Sequence, residues 1–202
     1  MKFLLFHSTA VAALSLMIFA ASLQTTRADE VDDAVKGIRV AYNAIEAAKL
    51  REETVEFESE DDPVSGSCTR YFKGDELVKI RIIYTQGDHG GADENYYYTE
   101  GELFFAYVSE SSWAFTGEEN ADGEGETMDT VREHRVYFAN GSLLGHLAKE
   151  ASAKDEQALK GLLAKAENKP FKDEEVTGRI YQFGNALPGA KTAAELISLL
   201  TE

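Results

Sequence analysis

Apolar residues at Val31, Val35, Ile38, Tyr42 and Ile45 recur at steps of three and four, with Ala34, Ala41 and Ala48 flanking the stripe. That period predicts an amphipathic helix over about 31–51, with Asp32, Lys36, Arg39, Asn43 and Lys49 on its polar side. The period then changes from helical to alternating. Val55 and Phe57 alternate with Glu56 and Glu58, which predicts a strand over Thr54 to Ser59.

The middle of the chain repeats one short unit three times: Tyr71-Phe72-Lys73-Gly74-Asp75-Glu76-Leu77-Val78, Tyr97-Tyr98-Thr99-Glu100-Gly101-Glu102-Leu103-Phe104 and Tyr137-Phe138-Ala139-Asn140-Gly141-Ser142-Leu143-Leu144. Each reads Tyr, aromatic, four turn-type residues, Leu, apolar. Gly74-Asp75, Glu100-Gly101 and Asn140-Gly141 suit two-residue hairpin loops, because tight hairpins require the positive φ that Gly and Asn adopt cheaply. The units resemble the short aromatic and glycine-containing hairpins of MORN-type repeats. That resemblance implies hairpins only and carries over no site residue. Their unequal spacing along the chain fits one sheet with loops of different length, not a solenoid.

After the turns, Val78, Ile80, Ile82 and Tyr84 are expected on one face, as are Phe104, Ala106 and Val108. The opposite face carries Lys79 and Arg81 in the first hairpin but Phe105 and Tyr107 in the second. The second hairpin is therefore expected to be central or covered. Turn-centred pairing about Asn140 and Gly141 sets His146 opposite Arg135 and places His134 on the other face.

Helical spacing returns at Leu159, Leu162, Leu163 and Ala166, after a Ser152/Asp155 capping box and before Pro170. Val176, Ile180, Phe183 and Leu187 predict a further helix despite Gly178 and Gly184, and Thr192 with Glu195 caps a last one. The fold class is α+β: an antiparallel meander of six or seven strands built from three hairpins, its apolar side covered by the first helix and the C-terminal helices.

Ahead of this domain, Lys2, the apolar runs Phe3 to Phe6 and Ala10 to Ala21, and the small-residue pattern Thr26-Arg27-Ala28 read as a secretory signal peptide over residues 1–28. Residues 29–202 form the single expected domain, exported to a periplasm or secreted. Cys68, the one cysteine, excludes a disulfide framework and is expected to be buried and inert.

Net charge changes the list of partners. With 36 Asp+Glu against 20 Lys+Arg the chain carries −16, which opposes nucleic acid and anionic membrane surfaces and favours a cationic partner. Two loops contain candidate chemistry. Asp88, His89 and Asp93 sit in a glycine-rich connection and could act as acid and base or gather a metal. Asn120, Asp122 and Glu124 fall at alternate positions as in an EF-hand loop, which makes calcium the one cofactor the sequence raises. The twelfth position, however, is Val131 in place of a bidentate Glu. Gly-x-Ser-x-Gly, Ser-x-x-Lys and His-Glu-x-x-His are absent, so common signatures of acyl transfer and zinc hydrolysis are missing. Asn140-Gly141-Ser142 matches a glycosylation sequon that the hairpin turn explains.

Tyr96, Tyr98, Phe105, Tyr107 and Trp113 are the candidate ligand-binding aromatics. The sequence-level expectation is a non-enzymatic binding module for a protein or a small ligand. The alternative is a hydrolase or metal-binding enzyme built around Asp88, His89 and Asp93.

Overall fold

A computed structural model describes residues 30–61, 63–119 and 123–201. The signal-peptide segment, Asn120 and Asp122 lie outside the described residues. Eight strands form one antiparallel sheet in sequential order: β1 (Arg51–Glu58), β2 (Val64–Lys73), β3 (Glu76–Gln86), β4 (Gly90–Thr99), β5 (Glu102–Glu119), β6 (Gly125–Ala139), β7 (Ser142–Ala153) and β8 (Lys169–Pro170). The eighth strand pairs through only Leu147–Pro170 and Ala148–Lys169, around the proline that reads in sequence as a helix stop. Helix α1 covers residues 30–46 and ends where Ala47 and Ala48 donate back to Asn43 and Ile45. Arg51, expected in the helix, starts β1 instead.

The remaining helices are α2 (Glu156–Lys165), α3 (Glu174–Ala186) and α4 (Ala193–Thr201). Ser152 belongs to β7, and α2 is capped by Asp155, whose carboxylate accepts from Ala158 N at 2.8 Å. Asp173 caps α3 by accepting from Glu175 and Val176. Thr192 and Glu195 make the expected reciprocal capping box ahead of α4. Among the described residues no helix is long and apolar enough to cross a membrane.

All three repeat units are hairpins, with positive φ at Gly74, at Glu100 and Gly101, and at Asn140 and Gly141. Each also carries a β-bulge at the same place. Phe72 pairs with Leu77 but Tyr71 with Lys79; Tyr98 pairs with Leu103 but Tyr97 with Phe105; Phe138 pairs with Leu143 but Tyr137 with Gly145. The last residue of each unit, Val78, Phe104 or Leu144, is thus an extra residue on the outgoing arm. Phe104 consequently joins Phe105 in one apolar cluster, away from Ala106 and Val108, with which strict alternation had grouped it.

The sheet is covered on both faces, not on one. Ile80, Ile82, Tyr96, Tyr98, Ala106, Val108, Val136 and Phe138 pack under Ile180, Leu187 and Leu196 of the C-terminal segment. On the reverse face Tyr97, Phe104, Phe105 and Tyr137 pack against Ile38 of α1, with Val35, Ala41, Tyr42 and Ile45 alongside. The two-sided apolar character of β4 and β5 follows from this sandwich. Gly184 sets how closely α3 approaches: a Cβ there would lie 2.5 Å from Tyr96 Cδ1, while Tyr98 donates to Gly184 O at 2.6 Å.

Candidate functional site

On the α1 side the covering is incomplete. The α1 stripe packs with Tyr97, Phe104, Phe105 and Tyr137 of β4–β6, and Leu144 and Leu147 of β7 join the same cluster. A cleft of about 630 Å³ opens there, within the size range of small-molecule sites. Its floor is two adjacent cross-strand rows: Phe105 beside Tyr137, and Tyr107 beside Arg135 and Leu147. Its wall is one side of α1, where Ile38, Arg39, Tyr42 and Asn43 follow helical spacing, and Asn168 between α2 and β8 closes the far end.

The rings hold one another in fixed geometry. Tyr42 meets Phe105 edge-on with centroids 5.5 Å apart and meets Tyr97 at 5.1 Å; Phe105 and Tyr137 lie 5.1 Å apart. Tyr97 donates to Glu46 of α1 at 3.0 Å, and Lys79 pairs with the same carboxylate at 2.7 Å, which ties the helix to the sheet. Arg135 lies over the Tyr107 ring at 5.0 Å and donates to Asn168 Oδ1 at 2.8 Å. Burial first, and then the nearby Glu133 carboxylate, push the Tyr107 phenol well above its ordinary range, so it remains a neutral hydroxyl.

The other face holds a buried polar chain at the seam between β6, β7 and α3. His134 Nδ1 lies 2.8 Å from His146 Nε2, and His146 Nδ1 lies 2.7 Å from Thr177 Oγ1. The Thr177 hydroxyl donates to Asp173 O at 2.6 Å, so it accepts from His146 Nδ1–H. His146 Nε2 is then the acceptor for His134. His134 Nε2 is 3.5 Å from Glu110 Oε2, within ion-pair range but too long for a well-formed hydrogen bond. Phe171 packs against both imidazoles, with centroids at 5.0 Å and 4.6 Å. Burial, then the neighbouring His134, lower His146 to about 4. Glu110 is held below the usual carboxylate range, first by His134 and then by Arg179 against the cost of burial. Fully buried Glu94 completes the cluster, accepting from Tyr84 at 3.0 Å and from Tyr96, with Arg179 Nη1 at 3.4 Å.

The bulge explains why these histidines meet. It advances the outgoing arm by one residue, so His146 lies opposite Val136 instead of Arg135, and His134 lies opposite Ala148 on the same face. The expectation that the two histidines occupy opposite faces is therefore corrected. They bond directly to each other, and among the described residues no group of three His, Cys, Asp or Glu is placed to hold a metal.

The five candidate aromatics do not share a surface. Tyr96 and Tyr98 are buried under α3, Phe105 and Tyr107 belong to the cleft on the reverse face, and Trp113 lies toward the far end of the β5–β6 ribbon. There Trp113 packs on His89 at 4.1 Å and on Phe115 at 5.3 Å, and donates to Asp88 O at 2.7 Å. Asp88 and His89 are exposed in the β3–β4 connection, whereas Asp93 is within β4, ion-paired with Arg81 at 2.6 Å and accepting from Asn95. The three do not converge on one site. Of the EF-hand-like positions, Glu124 directly precedes β6, and the next carboxylate, Glu126, pairs with Lys154. Cys68 is buried, with its thiol pushed up by that burial.

Sequence reasoning missed Tyr42, Arg39, Asn43, Arg135, Tyr137 and Asn168 as cleft residues. Tyr42 reads as core, and Arg39 and Asn43 as a solvated face. The available signal was the reverse face of the second and third hairpins, where Phe105, Tyr107 and Tyr137 surround one cation, Arg135. Comparison of the chain with protein-family models, with curated proteins and with solved structures finds no match, so the functional reading stands on this geometry.

Proposed function

We propose that this protein is an exported, non-enzymatic binding module that takes a small molecule into the cleft between α1 and the β5–β7 face. One observation carries the reading: an open space of small-molecule size bordered by four aromatic rings from three elements, with a few polar side chains, Arg39, Asn43, Arg135 and Asn168, among them. Export rests on the leader-like pattern of residues 1–28, and the acidic remainder of the surface favours a cationic protein partner in that compartment.

The test uses two fused-ring probes, naphthalene-2-carboxylate and 2-naphthalenemethanol, titrated calorimetrically against the protein and an Asn43→Trp variant. Asn43 is exposed on α1, so an indole there fills the mouth without disturbing the core. Saturable binding of at least one probe, lost in the variant, is the expected result. Failure of both probes to bind, or binding unchanged by the variant, overturns the reading.

A further inference from the structure

The cleft's electrostatics run against those of the chain. Across a molecule of net charge −16, carboxylates outnumber cations, yet the lining of this cleft carries Arg39 and Arg135 and no carboxylate. Arg135 and Lys149 share the single carboxylate of Glu133, at 3.3 Å and 3.1 Å. Arg39, on the α1 wall, has no ion-pair partner among the described residues. Two guanidiniums, Arg39 and Arg135, therefore line the cleft beside its floor of aromatic rings, and among the described residues no Asp or Glu shares that lining. Arg135 is also aimed: the Tyr107 ring beneath it and Asn168 beside it fix the guanidinium plane, so donors not used by Glu133 and Asn168 are held in place before a ligand arrives. Planar carboxylates match that fork with two parallel hydrogen bonds, while a flat apolar body matches Phe105, Tyr107 and Tyr137.

We infer that the ligand class is an aromatic or conjugated carboxylate, its ring system lying on the tyrosine and phenylalanine floor and its carboxylate held between Arg135 and Arg39. This rests on the cleft being the binding site, and adds the charge and shape of what it accepts. The acidic exterior then works as a filter. It slows the approach of anions in general, so selection falls on molecules whose apolar ring contributes enough contact to offset that repulsion.

The matched probes separate the two claims. Naphthalene-2-carboxylate should bind at least about tenfold more tightly than 2-naphthalenemethanol, the size expected of one charge-assisted contact, and the ratio should fall as salt is raised. In Arg135→Gln the ratio of the two affinities, measured in that same variant, should drop toward one. Arg39→Gln, at an exposed position of α1, should reduce it in the same direction. Equal affinity of the two probes in the native protein overturns the carboxylate inference and leaves the cleft reading standing, whereas no binding of either removes both. A carboxylate preference that survives in both arginine variants also overturns the inference.

Discussion

His146 gives the sharpest quantitative test of the buried chain. Its two ring nitrogens are committed, Nδ1 as donor to Thr177 and Nε2 as acceptor from His134, and a second proton would set two donors against each other at 2.8 Å. The groups facing it are His134 on β6, Thr177 and the Asp173 carbonyl at the start of α3, Phe171 after β8, and Glu110 of β5 one imidazole further on. In the folded protein His146 protonates at about 4; in the unfolded chain the ordinary value is 6.5. Between those values the unfolded state binds the extra proton, so stability contributed by neutral His146 is complete above about pH 6.5. It declines as pH falls through the window and is lost by about pH 4. At 1.36 kcal/mol per pH unit the full loss is on the order of 3 kcal/mol. Urea denaturation followed by circular dichroism, at several pH values between 7.5 and 4, should be run on the native protein and on His146→Gln. Titrations of carboxylates remote from His146 cancel in the difference. The stability advantage of the native protein should shrink steadily on acidification, by roughly 3 kcal/mol across the window. A difference independent of pH, or one that grows toward acid, refutes the assignment of His146 as a neutral, doubly bonded imidazole.

The two glycines of α3 should respond oppositely in denaturant titrations. Gly184→Ala pushes a methyl into the Tyr96 ring and should cost about 1–3 kcal/mol, while Gly178→Ala meets nothing within 4 Å and should gain up to about 1 kcal/mol of helix propensity. Asn140, at φ 49° in the third hairpin loop, should tolerate Gly but lose about 1 kcal/mol on substitution by Ala, measured the same way. Cys68 should resist a soluble disulfide reagent in the native protein and react stoichiometrically in denaturant; rapid native labelling would contradict its burial.

Much of the framework was legible because it is local. The eight-residue units fixed the hairpin positions and, at Gly74, Gly101, Asn140 and Gly141, the positive φ of the turns, whereas Glu100, at φ 51°, adopts it without that residue preference. The Thr192/Glu195 box and the α1 stripe were equally plain. The Ser152/Asp155 pair misled as a cap because the long β7 edge extends through Ser152 to continue pairing with Thr130, and Asp155 takes over the role. Asp88, His89 and Asp93 read as one group because they are close in sequence. In the fold, His89 ends a loop while Asp93 sits inside a strand and turns to Arg81.

Residue order by itself determined the meander, the three hairpins and the Thr192/Glu195 cap, all of which depend on interactions within a few residues of one another. What only the tertiary structure decided was which face each helix covers and which side chains meet across strands. A single bulge per hairpin, invisible to a strict period of two, shifts each outgoing arm by one residue. It thereby joins His134 to His146 on one face and leaves Arg135 with Tyr107 and Leu147 on the other. The cleft arises in the same way: its rings and arginines come from segments far apart in the chain, and only the placement of α1 against the sheet leaves them around an open space.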